Sequence, residues 1–268
     1  MEYINFLSNQ SGHNLTLINY LLILIISFLS NLFSALAGGG AGLIQLPALL
    51  LFGIPYYKAL AVHKIATVAL GLGGSLRNFL VLKNNLYLIF QLLFFGIPGV
   101  IIGASLVNIF PEEYLYFLLA TFSIAIGFYS INKPYFGLKA FEKKINIYTK
   151  LRFYFLVFVI GVLNGSISSG TGLLVTILLI KTYGVDFLTS ISITFLTVGI
   201  FWNAVGAIAL SRIGSLPIMV LILLLIGSFL GGLTGAHLSN LKGNILIKKS
   251  FTVLCFLIGI SLFLKNFI

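Results

Sequence analysis

Apolar residues fall in ten runs separated by short polar or glycine-rich breaks: 15–37, 42–53, 57–82, 86–110, 114–131, 153–163, 172–180, 187–210, 216–238 and 248–267. A helix needs about 20 apolar residues to cross a bilayer. Seven of the runs come near or exceed that length. Runs 42–53, 153–163 and 172–180 are too short, and the second follows directly on Lys150 and Arg152. The pattern therefore predicts full spans mixed with half-helices.

The stretch Phe33–Pro55, FSALAGGGAGLIQLPALLLFGIP, organises the rest. Three consecutive glycines, Gly38, Gly39 and Gly40, interrupt a run already long enough to span. Each costs about 1 kcal/mol relative to alanine in a helix interior, so the helix breaks there. Broken backbone at membrane depth cannot be satisfied by lipid and must lie in protein or against a wet cavity. A second helix is predicted from Ala41 or Gly42. Its first N–H groups lack intrahelical acceptors and carry the positive end of the helix dipole, which outlines an anion site. Pro55 is positioned to end this helix, and Pro47 to bend it.

The break recurs. Gly40-Ala41-Gly42-Leu43 returns as Gly170-Thr171-Gly172-Leu173 at an offset of 130. Gly103-Ala104 returns as Gly235-Ala236, Asn108 as Asn240 and Gly127 as Gly259, at an offset of 132. The chain reads as a first repeat over residues 1–131, a polar linker over 132–150 and a second repeat over 151–268. Each repeat is expected to hold a glycine-broken half-helix pair followed by three spans. If each pair is a re-entrant hairpin, a repeat crosses an odd number of times and the two copies are inverted. Basic residues then divide twelve to four between the faces, against ten to six if each pair crosses once. The more populated face carries Arg77, Lys83, Lys181, Lys242 and the linker lysines; the other carries Lys58, Lys64, Arg212 and Lys265. The stronger bias selects the hairpin arrangement, with the linker cytoplasmic and both termini outside.

Composition sharpens the class. The 268 residues are 59% hydrophobic and 8% charged, with a mean hydropathy of +1.13. Soluble domains carry about 25% charge. The expectation is an all-α polytopic membrane protein of a plasma or bacterial inner membrane. A formal charge of +11 would elsewhere suggest nucleic acid; here the basic residues sit in short loops, so no nucleic-acid partner is expected. No Lys or Arg precedes the first apolar run, so the first helix is expected to be retained. The single cysteine, Cys255, lies in an apolar run and reads as a packing residue.

Candidate binding residues cluster around the breaks. Gly38, Gly39, Gly40 and Gly42, with Gly170 and Gly172, allow backbone amides to approach a ligand; tight helix crossing would use glycine equally well. Ser168, Ser169 and Thr171 add hydroxyls in the second break. On the helix after the first break, His63 and Thr67 share a face with Gly74 and Asn78. Two readings stand for Lys64, a counter-charge to an anion or a side chain snorkelling to the outer interface. Arg77 reads as an anchor at the helix end. His63 is either a proton site or a hydrogen-bonded structural histidine. Asn203 follows Ser190, Thr194 and Thr197 on the helix after the second break. Asp186 reads as a helix cap, and Glu112 and Glu113 as a helix start.

AGGGAGLIQLPALLLFGIP followed by KALAVHKIATVALGLGGSLRNF resembles the first half of the TauE/SafE sulfite exporter-like family, also called toluenesulfonate uptake permeases, and GSISSGTGLLVTILLIKTYG resembles its second glycine segment. Val62-His63-Lys64 stands where Thr-Asn-Lys is common. The resemblance implies a permease for sulfite, an organosulfonate or a related sulfur-containing small anion.

Together these readings favour a secondary carrier working by alternating access about a midplane site. Its expected partners are a small anion, the lipid bilayer and a coupling proton or ion, with a homodimer open; no catalytic group, cofactor or metal is expected. No Walker motif is present. An anion channel is the first alternative. An intramembrane hydrolase pairing Ser168 or Ser169 with His63 or His237 is the second, and it lacks an evident orienting acid.

Overall fold

The computed structural model describes residues 15–107, 112–133, 135–210 and 216–265; every regular element among them is a helix. Helix α1, Leu17–Ala37, starts at Thr16, whose hydroxyl accepts from the Asn19 amide at 3.4 Å. It stops at Gly38, which is left-handed (φ 86°). Helix α2 is Gly42–Leu51 and α3 is Tyr56–Arg77, with Pro55 at its N-cap. Then come α4 (Phe79–Lys83), α5 (Leu86–Ser105), α6 (Glu112–Asn132), α7 (Ile147–Ser166) and α8 (Thr171–Tyr183). The run Phe187–Leu210 consists of α9 (Phe187–Thr194), a π-helical segment (Phe195–Trp202) and α10 (Asn203–Leu210). Helix α11, Ile218–Lys265, is two arms, because Gly243 takes a left-handed conformation (φ 69°) within it.

Among the described residues, six stretches are long and apolar enough to cross a membrane: α1, α3, α5, α7, the run Phe187–Leu210 and Ile218–Leu257 within α11. This is a multi-pass membrane protein. Large apolar side chains such as Phe94, Phe155, Ile208 and Leu230 point outward, where acyl chains would meet them.

Three expectations need correction. Residues 153–163 are not a half-helix: α7 begins at Ile147, capped by Asn146, whose side chain accepts from the Thr149 amide at 2.8 Å. Lys150 and Arg152 sit in its first turns, where a charged side chain can reach water while the backbone stays helical. The first member of each pair is thus of span length, 21 residues in α1 and 20 in α7, and only α2 and α8 are short. The segment between α6 and α7 is correspondingly 133–146 rather than 132–150. Third, 187–210 is not one regular α-helix. Asn108, Pro111 and Arg212 lie outside the described residues, as does the Pro47 side chain within α2.

Contacts join the two members of each broken pair. Gln45 Nε2 of α2 donates to Ser27 Oγ of α1 at 3.0 Å. Tyr20, near the start of α1, shares a core cluster with Leu49 and Ile54 at the end of α2. In the second pair, the Phe153 and Tyr183 rings meet at 5.0 Å, joining the start of α7 to the end of α8. The core cluster around Tyr20 also takes in Ala104, Leu210 and Val220. At the opposite end the 133–146 segment is held by Phe141 N–H donating to Gly184 O at 2.9 Å and by Phe187 N–H donating to Gly137 O at 2.8 Å.

Glycines set the helix crossings, and the crossings come in matched pairs. Helix α5 packs on α7 and the first arm of α11 packs on α1. A β-carbon on Gly99 would lie 2.3 Å from Phe158 O, and one on Gly231 would lie 2.5 Å from Phe28 O. One on Gly103 would lie 2.0 Å from Val162 O, and one on Gly235 would lie 2.6 Å from Leu32 O. Between α6 and the second arm of α11, Gly127 faces Phe256 while Gly259 faces Ile124. Only glycine admits backbones this close.

Candidate functional site

The two breaks meet. A β-carbon on Gly39 would lie 2.8 Å from the Gly172 backbone, and one on Gly172 would lie 3.1 Å from Gly39 Cα. Both breaks use left-handed backbone at equivalent positions: Gly38 (φ 86°) and Gly40 (φ 104°) in the first, Ser168 (φ 64°) and Gly170 (φ 75°) in the second. Ser168 is the one non-glycine residue with positive φ among the described residues. Thr176 on α8 donates to Gly38 O at 3.1 Å, tying one break to the other's short helix.

Beside this contact lies a cavity of about 40 Å³. Since one water needs about 10–15 Å³ on such a scale, it has room for a few waters or one small ion. From the first break it is lined by Gly38, Gly39, Gly40, Ala41 and Gly42, and from the second by Ser168, Thr171 and Gly172. Helices α2 and α8 therefore both begin on the same space, with their first N–H groups beyond intrahelical acceptors. Ser34 of α1, His63, Thr67 and Leu70 of α3, Asn164 of α7, Asn203 of α10, and Thr194, Phe195, Val198 and Gly199 at the π segment make up the rest of the wall.

The predicted residues Ser169, Gly170 and Lys64 do not line this cavity. Ser169 is buried behind it, its hydroxyl 2.8 Å from where a β-carbon on Gly42 would stand. Gly170 caps α8. Lys64 does not snorkel: it is 0% exposed. Its ammonium donates to Asn164 O at 2.6 Å, and more weakly to Asn164 Oδ1 at 3.3 Å and Asn203 Oδ1 at 3.4 Å. All three acceptors are neutral. Asn164 and Asn203 line the cavity, so the cation sits one layer behind its wall. Lys64 thus leaves the outer-face charge tally.

Hydrogen bonds fix the wall. Ser168 Oγ donates to Asn203 Oδ1 at 3.2 Å, and Asn164 Nδ2 donates to Thr171 Oγ1 at 2.9 Å. Asn203 Nδ2 donates to Val198 O at 2.7 Å, satisfying a carbonyl of the widened π turn. His63 Nδ1 lies 2.5 Å from Gln45 Oε1. A Ser–His catalytic pair would want a carboxylate where this amide stands. His237 is instead beside Arg77, where α3 ends.

Sequence reasoning missed Asn164, Ser34 and Gln45. Asn164 and Ser34 are separated by 130 residues, the repeat offset, and each lies one helical turn before its break. That offset was the available signal. The π segment gave none, because its residues are as apolar as those of any span.

The family profile described as sulfite exporter TauE/SafE matches residues 23–262. The chain belongs to this family. The chain is 28% identical to a probable membrane transporter protein, ORF9, of Sinorhizobium sp., over 90% of each chain. It is 28% identical to a probable membrane transporter protein of Haemophilus influenzae, covering 88% of this chain and 91% of the relative. Against the probable membrane transporter protein YdhB of Bacillus subtilis, identity is 24% over 86% of this chain and 94% of the relative. No solved structure matches. As a TauE/SafE member the chain is a membrane transporter, so the cavity between the breaks is the site to weigh for transport.

Proposed function

We propose that this protein is a secondary carrier for a small sulfur-containing oxyanion, sulfite or an organosulfonate, bound where the two breaks meet and moved by alternating access. The observation that carries the reading is that α2 and α8, one from each half of the chain, both begin on one cavity. Two helix N-termini offer about half a positive charge each. Lys64, buried against neutral oxygens only, adds positive charge when protonated, without a counter-ion beside it. An oxyanion supplies that counter-ion, and a sulfite dianion matches the sum in sign and rough size.

The matched glycine crossings support two repeats related by a pseudo-twofold axis. The contacts joining α1 to α2 and α7 to α8 support re-entrant pairs, three crossings per repeat and an inverted arrangement. The basic residues gathered at the 133–146 end support a cytoplasmic linker and external termini. A cavity of about 40 Å³ suits a carrier that must rearrange rather than a standing pore.

Counterflow in proteoliposomes tests this. Liposomes loaded with sulfite, thiosulfate, sulfoacetate or taurine should accumulate the labelled form of at least one of them. If none of the four exchanges or binds, the substrate class is wrong. Single-channel currents in planar bilayers would replace the carrier with a channel.

A further inference from the structure

Among the described residues, His63 is the one titratable side chain on the cavity wall, and its hydrogen bonds favour one tautomer. Gln45 points its amide oxygen at Nδ1, 2.5 Å away, and its amide nitrogen at Ser27 Oγ, 3.0 Å away. Ser27 in turn donates to Leu224 O at 2.9 Å. With its hydrogen spent on that carbonyl, Ser27 Oγ can only accept from Gln45. With the amide oriented this way, its oxygen faces Nδ1, which then carries the hydrogen of the pair. In the neutral ring this leaves Nε2 as a bare acceptor. Its hydrogen-bond neighbour, Thr67 Oγ1 at 3.4 Å, already donates to the His63 carbonyl at 2.8 Å. Nε2 also lies 2.8 Å from where a β-carbon on Gly42 would stand, at the start of α2. An open proton acceptor thus faces the proposed anion site.

Few charges surround it. Lys64 is its chain neighbour. The elements packed around this part of α3 present Ser27 and Ser34 from α1, Gln45 from α2, Ser169 from the second break and Asn203 from α10. Tyr56, one and a half turns or more up the helix, spends its hydroxyl on Ser166 O. Arg77 and His237 lie about 20 Å along α3.

We propose that His63 is the coupling-proton site: Nε2 takes up a proton on the side where the anion enters, and proton and anion cross together. This rests on the carrier reading above. A proton on Nε2 completes an imidazolium whose Nδ1–H remains on Gln45 and whose Nε2–H points toward Thr67 Oγ1 and the cavity. It also sets a second cation beside the Lys64 ammonium. That doubly charged pair is unfavourable alone and is relieved by an anion in the cavity. Proton and anion therefore strengthen each other's binding by the same factor, which is the thermodynamics of symport. An exchanger would need the opposite sign. Gln45 is a positioning residue that holds the tautomer.

The test uses the full-length protein in proteoliposomes containing a pH dye, with the membrane potential clamped. Thiosulfate and sulfoacetate serve as probes because their charge is constant near neutral pH. An inward gradient of either should acidify the lumen, and acid outside should accelerate its uptake several-fold. In H63Q the remaining uptake should no longer respond to the pH gradient. Q45E places a carboxylate against Nδ1–H and should move the alkaline limb of the uptake profile up by about one pH unit. Net downhill uptake of a probe without luminal acidification in the wild type, or with alkalinisation, overturns the coupling and leaves the carrier standing. An unmoved profile in folded Q45E also overturns it. Absence of any counterflow by either probe defeats the carrier reading for these anions and takes the coupling with it.

Discussion

The Lys64 ammonium reaches across the molecule to the Asn164 carbonyl, 100 residues away in sequence and 2.6 Å away in space. A cation on α3 is thereby held by the last turn of α7, just before the second break. Burying an ammonium without a charged partner costs several kcal/mol even after relaxation. The fold tolerates it by offering neutral oxygens from Asn164 and Asn203.

The first prediction separates stability from binding at this residue. In K64M the buried charge is gone, so thermal stability should hold or rise. Anion binding should weaken several-fold, because the cavity loses a positive charge held one layer behind its wall. In K64R the charge remains, but Gly206 leaves little room: a β-carbon there would lie 3.0 Å from Lys64 Nζ. Partial binding is expected. Thiosulfate titration by calorimetry, beside a melting curve, reads both. Unchanged affinity in K64M would remove Lys64 from the site.

The second prediction concerns Ser168, held at φ 64° where glycine is at home. A non-glycine residue there carries about 1–2 kcal/mol of strain. S168A and S168G both lose the hydrogen bond to Asn203, but only S168G loses the strain. S168G should therefore be more stable than S168A by about 1 kcal/mol, read as a difference in denaturation midpoint. Equal midpoints would mean that the turn is not strained.

The glycine breaks were legible because glycine clusters inside long apolar runs have few structural uses. Their meeting followed as an expectation from the repeat and the inverted arrangement, although no residue pattern shows which atoms touch. The direction of Lys64 was open for a related reason: position 64 lies one turn from an interface or deep in the bundle depending on how far α3 extends. Helix α7 was underestimated because the run was counted from after Arg152, although helices accept charged residues in their first turns. The π segment lay beyond reach, as a change in turn width leaves no trace in an apolar sequence.

The third prediction tests contact between the breaks. A β-carbon on Gly39 would come within 2.8 Å of Gly172 backbone atoms, in a residue already at φ 136°. G39A should destabilise by about 1–3 kcal/mol and suppress counterflow. G172A meets Gly39 Cα at 3.1 Å in an otherwise helical residue and should cost less. Because both changes press on one contact, the double variant should depart from additivity by about 0.5 kcal/mol or more. Strict additivity in a double-mutant cycle would mean that the breaks are not in contact.

The fourth prediction uses the only tryptophan in the chain as its own reporter. Trp202 ends the π segment, is fully buried, and donates from its indole nitrogen to Leu92 O at 3.2 Å. Its ring occupies the space left by a missing side chain on α5: a β-carbon on Gly96 would lie 1.9 Å from Trp202 Cζ2. No rigid neighbour can absorb that overlap, so in G96A either the indole leaves its pocket or α5 moves away from the π segment. Overpacking of this kind costs about 1–3 kcal/mol. Since Asn203, the next residue, holds both Ser168 and Lys64, displacement of Trp202 should also reach the cavity wall. Tryptophan emission in G96A should shift to the red, with a lower melting midpoint and weaker thiosulfate binding. Red-shifted emission with wild-type binding would show that the π segment can move without disturbing Asn203. Unshifted emission with wild-type stability would mean that Trp202 does not pack on Gly96 at all.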